Sequence, residues 1–134
     1  MKKFIISLLL MLTQNHSWAE PSILVSNHTD AILLAEKINK PVLLIIISDW
    51  CAYCDKMKED LILNTNILDD MIICYINYDK HKTIIGDYKI KSVPTMIFLK
   101  DNKEISRKIG YKDIEEFSRW LDNVKWVFIY TNNK

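Results

Sequence analysis

The stretch PVLLIIISDWCAYCDKM, residues 41–57, decides how the chain is read. Its first half, VLLIIIS (42–48), is rich in β-branched residues and shows no polar alternation. Such a run suits a strand buried on both faces, in the middle of a parallel sheet. Pro41 stops any helix arriving from upstream and opens the strand. From Cys51 to about Leu63 the pattern becomes helical, with Cys54, Met57 and Leu61 at i, i+3 and i+7. Two cysteines thus stand where a strand hands over to a helix.

That position has chemical consequences. The first N–H groups of a helix lack intrahelical partners, and its dipole places partial positive charge there. A thiolate on Cys51 is stabilised by both, so its pKa is expected below the free value of ~8.5. Cys54 lies one turn further in on the same face, close enough to bond with Cys51. The outer sulfur then attacks a substrate disulfide and the inner one resolves the mixed disulfide. An inert staple is a weaker reading, because so small a loop restricts the unfolded chain little. A closed zinc site wants four ligands. Downstream of residue 19 only Cys74, His28 and His81 remain among thiols and imidazoles, and none is spaced as a second ligand pair. Met57 offers a thioether for Cu(I), yet at helical spacing it reads as core. Cys74, inside MIICYINYD, reads as a small buried hydrophobe; pairing between chains is the alternative for an odd thiol.

Working outward, ILV (23–25) reads as a short edge strand, and Thr29 or Asp30 as the cap of a helix running to about Asn39, with Ile32, Ala35 and Ile38 on one face. MIICYINYD (71–79) is a second strand, and TIIGDYKI holds one or two helical turns. TMIFLKD (95–101) and KEISRKIG (103–110) flank a DNK turn as an antiparallel hairpin. Residues 113–124 form a last helix that buries Ile114, Phe117, Leu121 and Val124. WVFIY (126–130) fits a longer helix, a segment packed back on the sheet or a sticky patch; core packing is the expectation. The order is (β)αβαβ(α)ββα: an α/β chain with a mixed four- to five-stranded sheet and helices on both faces.

The N-terminus differs in kind. Lys2 and Lys3 precede the apolar FIISLLLML (4–12), then polar TQNHSWA with small Ser17 and Ala19. This is the three-part pattern of a cleavable signal peptide, residues 1–19, leaving residues 20–134 as one domain. The apolar run is short for a bilayer span, which needs ~20 residues, so an uncleaved anchor is the weaker alternative. No cysteine near the cut invites lipid attachment. Cleavage removes two lysines and no acid, taking the formal net charge from +1 to −1. Neither value gives an electrostatic reason for a nucleic-acid partner. The expected compartment is the bacterial periplasm, where disulfides persist.

With these elements in this order, the sequence resembles the thioredoxin superfamily over essentially all of residues 20–134. The resemblance rests on PVLLIIISDWCAYC, on VPT (93–95), and on the hairpin with Gly110 before the last helix. DWCAYC followed by KMKED is most similar to the periplasmic branch, including the C-terminal domain of the transmembrane reductase DsbD. The resemblance implies a thioredoxin fold and a thiol:disulfide oxidoreductase with Cys51 as exposed nucleophile and Cys54 as resolving thiol. It implies no cofactor beyond the redox-active Cys51–Cys54 disulfide. It makes Trp50 the aromatic beside the site and Pro94 a cis-proline that turns the backbone of Val93, with Thr95 following, toward an extended substrate. Gly110 is then a point of close approach. The family's buried acid, six positions before the first cysteine, is Ile45 here, so proton transfer falls to water, Asp49 or Glu59. Ala52-Tyr53 replaces the Gly-Pro of cytosolic thioredoxins, and the absence of a helical insertion before Pro94 separates the chain from DsbA-type oxidases. The implied partners are disulfide-containing proteins and a membrane electron donor of the DsbD or CcdA type, with the protein acting as a monomer. Alternatives are a copper or zinc binding protein of the same fold, or an oxidant or isomerase.

Overall fold

The computed structural model of the protein describes residues 19–131, so the basic and apolar start of the expected signal peptide lies outside the described residues. In chain order the elements are β1 (Ile23–Leu24), α1 (His28–Ile38), β2 (Val42–Ile47), α2 (Ala52–Leu63), a 3-10 turn (Thr65–Leu68), β3 (Ile72–Asn77), α3 (Lys82–Asp87), β4 (Thr95–Lys100), β5 (Lys103–Ile109) and α4 (Ile114–Thr131). The strands form one mixed sheet in the order β1-β3-β2-β4-β5. β1 and β2 flank β3 in parallel, while β4 runs antiparallel to β2 and β5 antiparallel to β4.

The unalternating VLLIII run becomes β2 because both faces of that strand are covered. Leu43 and Ile45 point to one side, where they pack with Met57 and Leu61 of α2 and with Phe117, Leu121 and Val124 of α4. Val42, Leu44 and Ile46 point to the other, among Ala31 of α1, Ile85 of α3, and Ile72, Cys74 and Ile76 of β3. Each such buried aliphatic side chain contributes about 1.5–3 kcal/mol relative to exposure. At the rim, β5 (KEISRKI) is exposed or half-buried along its length and carries Lys103, Glu104, Arg107 and Lys108, charges that blunt its free edge against pairing with another chain.

Three local expectations are corrected. The cap of α1 is Asn27, not Thr29 or Asp30: its backbone is extended and its side chain accepts from the Asp30 N–H at 3.1 Å. Asp30 instead sits inside the first turn, where its charge complements the dipole. The last helix does not stop near residue 124 but continues to Thr131. The apolar tail is therefore helical, and its expected burial fails at Trp126 and Val127, which stay 59% and 46% exposed. Val124 is the last α4 residue in the core cluster. Beyond it, Lys125 Nζ donates to the carbonyls of Ile67 and Asp69, tying the helix to the 3-10 turn. The DNK turn forms as expected, with Asp101 and Asn102 both left-handed, the combination that follows the twist of a two-residue hairpin loop. Among the described residues, no helix is long and apolar enough to cross a membrane.

Candidate redox site

β2 ends at Ile47, and the chain then turns through Ser48-Asp49-Trp50 to place Cys51 as the N-cap of α2. The Cys51 backbone is extended (φ −104°), so its carbonyl accepts the first helical hydrogen bonds, from Cys54 N–H at 3.1 Å and Asp55 N–H at 3.2 Å. Its Sγ also accepts from the Cys54 N–H at 3.2 Å. A sulfur thus occupies the side-chain capping position, where an amide donor and the helix dipole both favour negative charge. Cys51 and Cys54 are joined in a disulfide with Cα atoms 5.2 Å apart. Cys51 retains 7% of its surface and Cys54 none. Cys51 is less exposed than its expected role suggested, but of the pair it alone presents a face to an incoming thiolate.

The Val93–Pro94 peptide bond is cis. Pairing between β2 and β4 reaches Thr95, opposite Ile46, so Val93 and Pro94 lie just past the ladder, beside the end of β2. Thr95 is buried and its hydroxyl donates to the Ser92 carbonyl at 2.8 Å, bracing that turn. Gly110 N–H donates to the Pro94 carbonyl at 2.8 Å, which brings the end of β5 alongside. The need for glycine there is conformational: φ is +80°, while an added Cβ meets nothing within 4 Å, so close approach is not the reason.

Trp50 is 69% exposed, yet its indole is fixed, because Nε1 donates to Asp79 Oδ2 at 2.9 Å. Asp79 is held in turn by Asn77, whose side-chain oxygen accepts from the backbone N–H of Asp79 and Lys80. Asn77 Nδ2 also donates to Asp49 Oδ1, at a long 3.4 Å. Asn77 and Asp79 were missed as site residues. The available signal was the N-Y-D sequence at the end of a strand, an Asx-type turn placed where parallel strands deliver functional groups. Asp49 and Glu59 are both exposed. Asp49 stays in the loop before Cys51, whereas Glu59 sits well along α2 and is not brought to the disulfide. Ile45 is fully buried between Tyr75 of β3 and Met96 of β4. Ser48 Oγ, three residues before Cys51, is buried without a hydrogen-bond partner. Met57 is fully buried in the core, one turn beyond Cys54 on the buried face of α2. Among the described residues no group of three or more His, Cys, Asp or Glu could hold a metal ion. Cys74 lies free and buried in β3, opposite Leu44, and burial pushes its thiol pKa up to about 11.

Residues 29–125 match the family model of the thioredoxin-like domain. The chain belongs to the thioredoxin-like family. Among curated relatives, it is 30% identical to the thioredoxin of Chlamydia caviae over 81 residues, 60% of this chain and 79% of that one. It is 26% identical to the thioredoxin of Rickettsia bellii over 104 residues, covering 75% of this chain and 98% of that one. The thioredoxin fold is likewise shared with solved structures. A thioredoxin from Thermus thermophilus superposes with a TM-score of 0.66 at 21% identity, covering 80% of this chain and 88% of its own. Trxlp from Edwardsiella tarda superposes with a TM-score of 0.64 at 22% identity, covering 73% and 97%. With the CxxC disulfide at a helix N-terminus, this thioredoxin-like chain is a thiol–disulfide oxidoreductase.

Proposed function

We propose that this protein is an exported reductase of the bacterial periplasm, akin to the C-terminal domain of DsbD, that reduces disulfides in other exported proteins and is recharged by a membrane electron donor of the DsbD or CcdA type. Export follows from the leader-like start and cleavage after Ala19. In the reaction, the Cys51 thiolate attacks a substrate disulfide and expels one substrate thiolate, which takes a proton. Cys54 then attacks Cys51 Sγ, releases the second substrate thiol, and leaves the Cys51–Cys54 disulfide for the donor to reduce. Val93, ahead of the cis-proline, offers backbone for an extended substrate, with Trp50 and Gly110 bordering the approach. Proton exchange at Cys54 uses water or Asp49; the exposed Glu59 is too far along its helix to serve.

The observation that carries the reading is Cys51 at the N-cap, its sulfur accepting from the Cys54 amide, in the one residue of the pair that is not wholly buried. The direction of electron flow is argued from what surrounds that sulfur. A strongly oxidising site needs a reduced form that is heavily stabilised. Ala52 and Tyr53 bring no positive charge between the cysteines, which leaves the helix terminus to hold the thiolate. Equilibration with glutathione or dithiothreitol, read by Trp50 fluorescence, tests this. A potential near thioredoxin's ~−270 mV is expected, and one near ~−120 mV means the protein is an oxidant.

A further inference from the structure

The residue following the expected cut is held on two sides. Glu20 N–H donates to Asp70 Oδ1 at 2.9 Å, and Asp70 N–H donates back to the Glu20 carbonyl at 2.7 Å, closing a two-bond ring between the residues. The Glu20 side chain pairs with Lys40 Nζ, which also lies 3.7 Å from Asp70 Oδ1. Asp70 takes a left-handed backbone (φ 64°), a conformation costly for a residue with a side chain unless its surroundings hold it. Directly after this ring the β1–β3 ladder begins, with Ile23 N–H on the Met71 carbonyl. The contacts at Glu20, Lys40 and Asp70 thus anchor the chain just ahead of the β1 ladder, which continues with Val25 N–H on the Ile73 carbonyl.

In the uncut chain the group facing Asp70 is a neutral amide. Hydrolysis of the Ala19–Glu20 bond by a leader-removing peptidase consumes one water and leaves a carboxylate on Ala19 and an amine on Glu20, which takes up a proton. We propose that Asp70 and Lys40 form a preset receptor for this new N-terminus, with Asp70 binding the Glu20 α-ammonium group and Lys40 binding its side-chain carboxylate. Cleavage then turns an amide hydrogen bond into an ion pair and locks the β1 edge to β3. A cut one residue either side removes the match, since the ammonium no longer falls opposite Asp70. The receptor lies at the start of β2 and β3, whereas Cys51 follows the end of β2, so the redox pole faces away from the processing end. The nearby charges are those around Lys125, which shares a cavity rim with Lys40 and Asp70 and feels the carboxylates of Asp122, Asp70 and Asp69.

The inference rests on export with cleavage after Ala19, and its test separates the two. The full chain is expressed in a bacterium with its leader and purified from the periplasm. Mass spectrometry is expected to show Glu20 as the first residue, and an uncut chain or another first residue overturns the proposal. The Glu20 α-amine is then titrated by NMR. Its pKa is expected above the ordinary ~7.7–8.0 by on the order of 0.5 unit, returning to the ordinary range in Asp70→Asn. The same chain unfolded in urea supplies the reference if that variant does not fold. Identical titration in the folded and unfolded chains overturns the receptor. Insulin reduction assayed on the same sample reports separately on the oxidoreductase reading.

Discussion

At the scale of single residues the site depends on one asymmetry: Cys51 keeps accessible surface at a helix cap while Cys54 and Cys74 keep none. Cys51→Ser is therefore expected to abolish insulin reduction, and Cys54→Ser to accumulate mixed disulfides resolvable on non-reducing gels. A Cys51→Ser protein as fast as its parent excludes the mechanism. Cys74, with its pKa at about 11, is almost wholly protonated at pH 8. Iodoacetamide at that pH is expected to label Cys51 in the reduced folded protein and to reach Cys74 only after denaturation, as read by peptide mass spectrometry. His28, whose Nε2 lies 3.0 Å from the Tyr88 hydroxyl, has its pKa lowered, mainly by burial and against the attraction of Asp87. The unfolded chain therefore takes up this proton first as pH falls. The contribution is full above the unfolded value of ~6.5 and is lost as pH falls through the lower, folded value. Urea midpoints are expected to drop as pH falls below about 6.5, and the drop to shrink in His28→Gln.

At the scale of elements, the boundaries matter more than the interiors. The sequence period identified β2 and α2, but what places the cysteines is the junction: an extended residue whose sulfur substitutes for the usual Ser or Asp cap. β5 is followed by a left-handed glycine, Gly110, bonded to Pro94, so the hairpin and the cis-proline turn are fixed together. Gly110→Ala is expected to cost about 1–2 kcal/mol, seen as a lower urea midpoint, because the left-handed backbone persists and the new methyl group strains it. Trp50 shows the limit of reading elements alone. An exposed indole after a strand has no evident fixed position, and its hydrogen-bond partner is Asp79, in the turn that follows β3.

At the scale of the whole molecule, two cores on opposite sheet faces carry the stability, and the site lies on the rim where β2 and β3 end. Phe117 is fully buried in the α2–α4 face. Phe117→Ala is expected to lower unfolding free energy by about 3–5 kcal/mol. Ile62→Ser, on the solvent side of α2 at 72% exposure, is expected to change it by less than about 0.5 kcal/mol. Urea denaturation of both variants checks the contrast. The element order, the buried central strand and the dithiol at a helix start were all legible in the sequence, because hydrophobic period and local backbone chemistry act within a few residues. The tail was not: WVFIY is apolar enough for a core, yet Trp126 and Val127 face solvent while Phe128 lies under the Lys100 ammonium at the end of β4, a division the local pattern does not show. Nor were the pairs Trp50–Asp79, Glu20–Asp70 and Gly110–Pro94, which join residues far apart in the chain. Sequence determined which segments become strands and helices and which atoms do the chemistry. Tertiary structure decided what those atoms face, because side-chain partners are set by strand order and register, which no local pattern encodes.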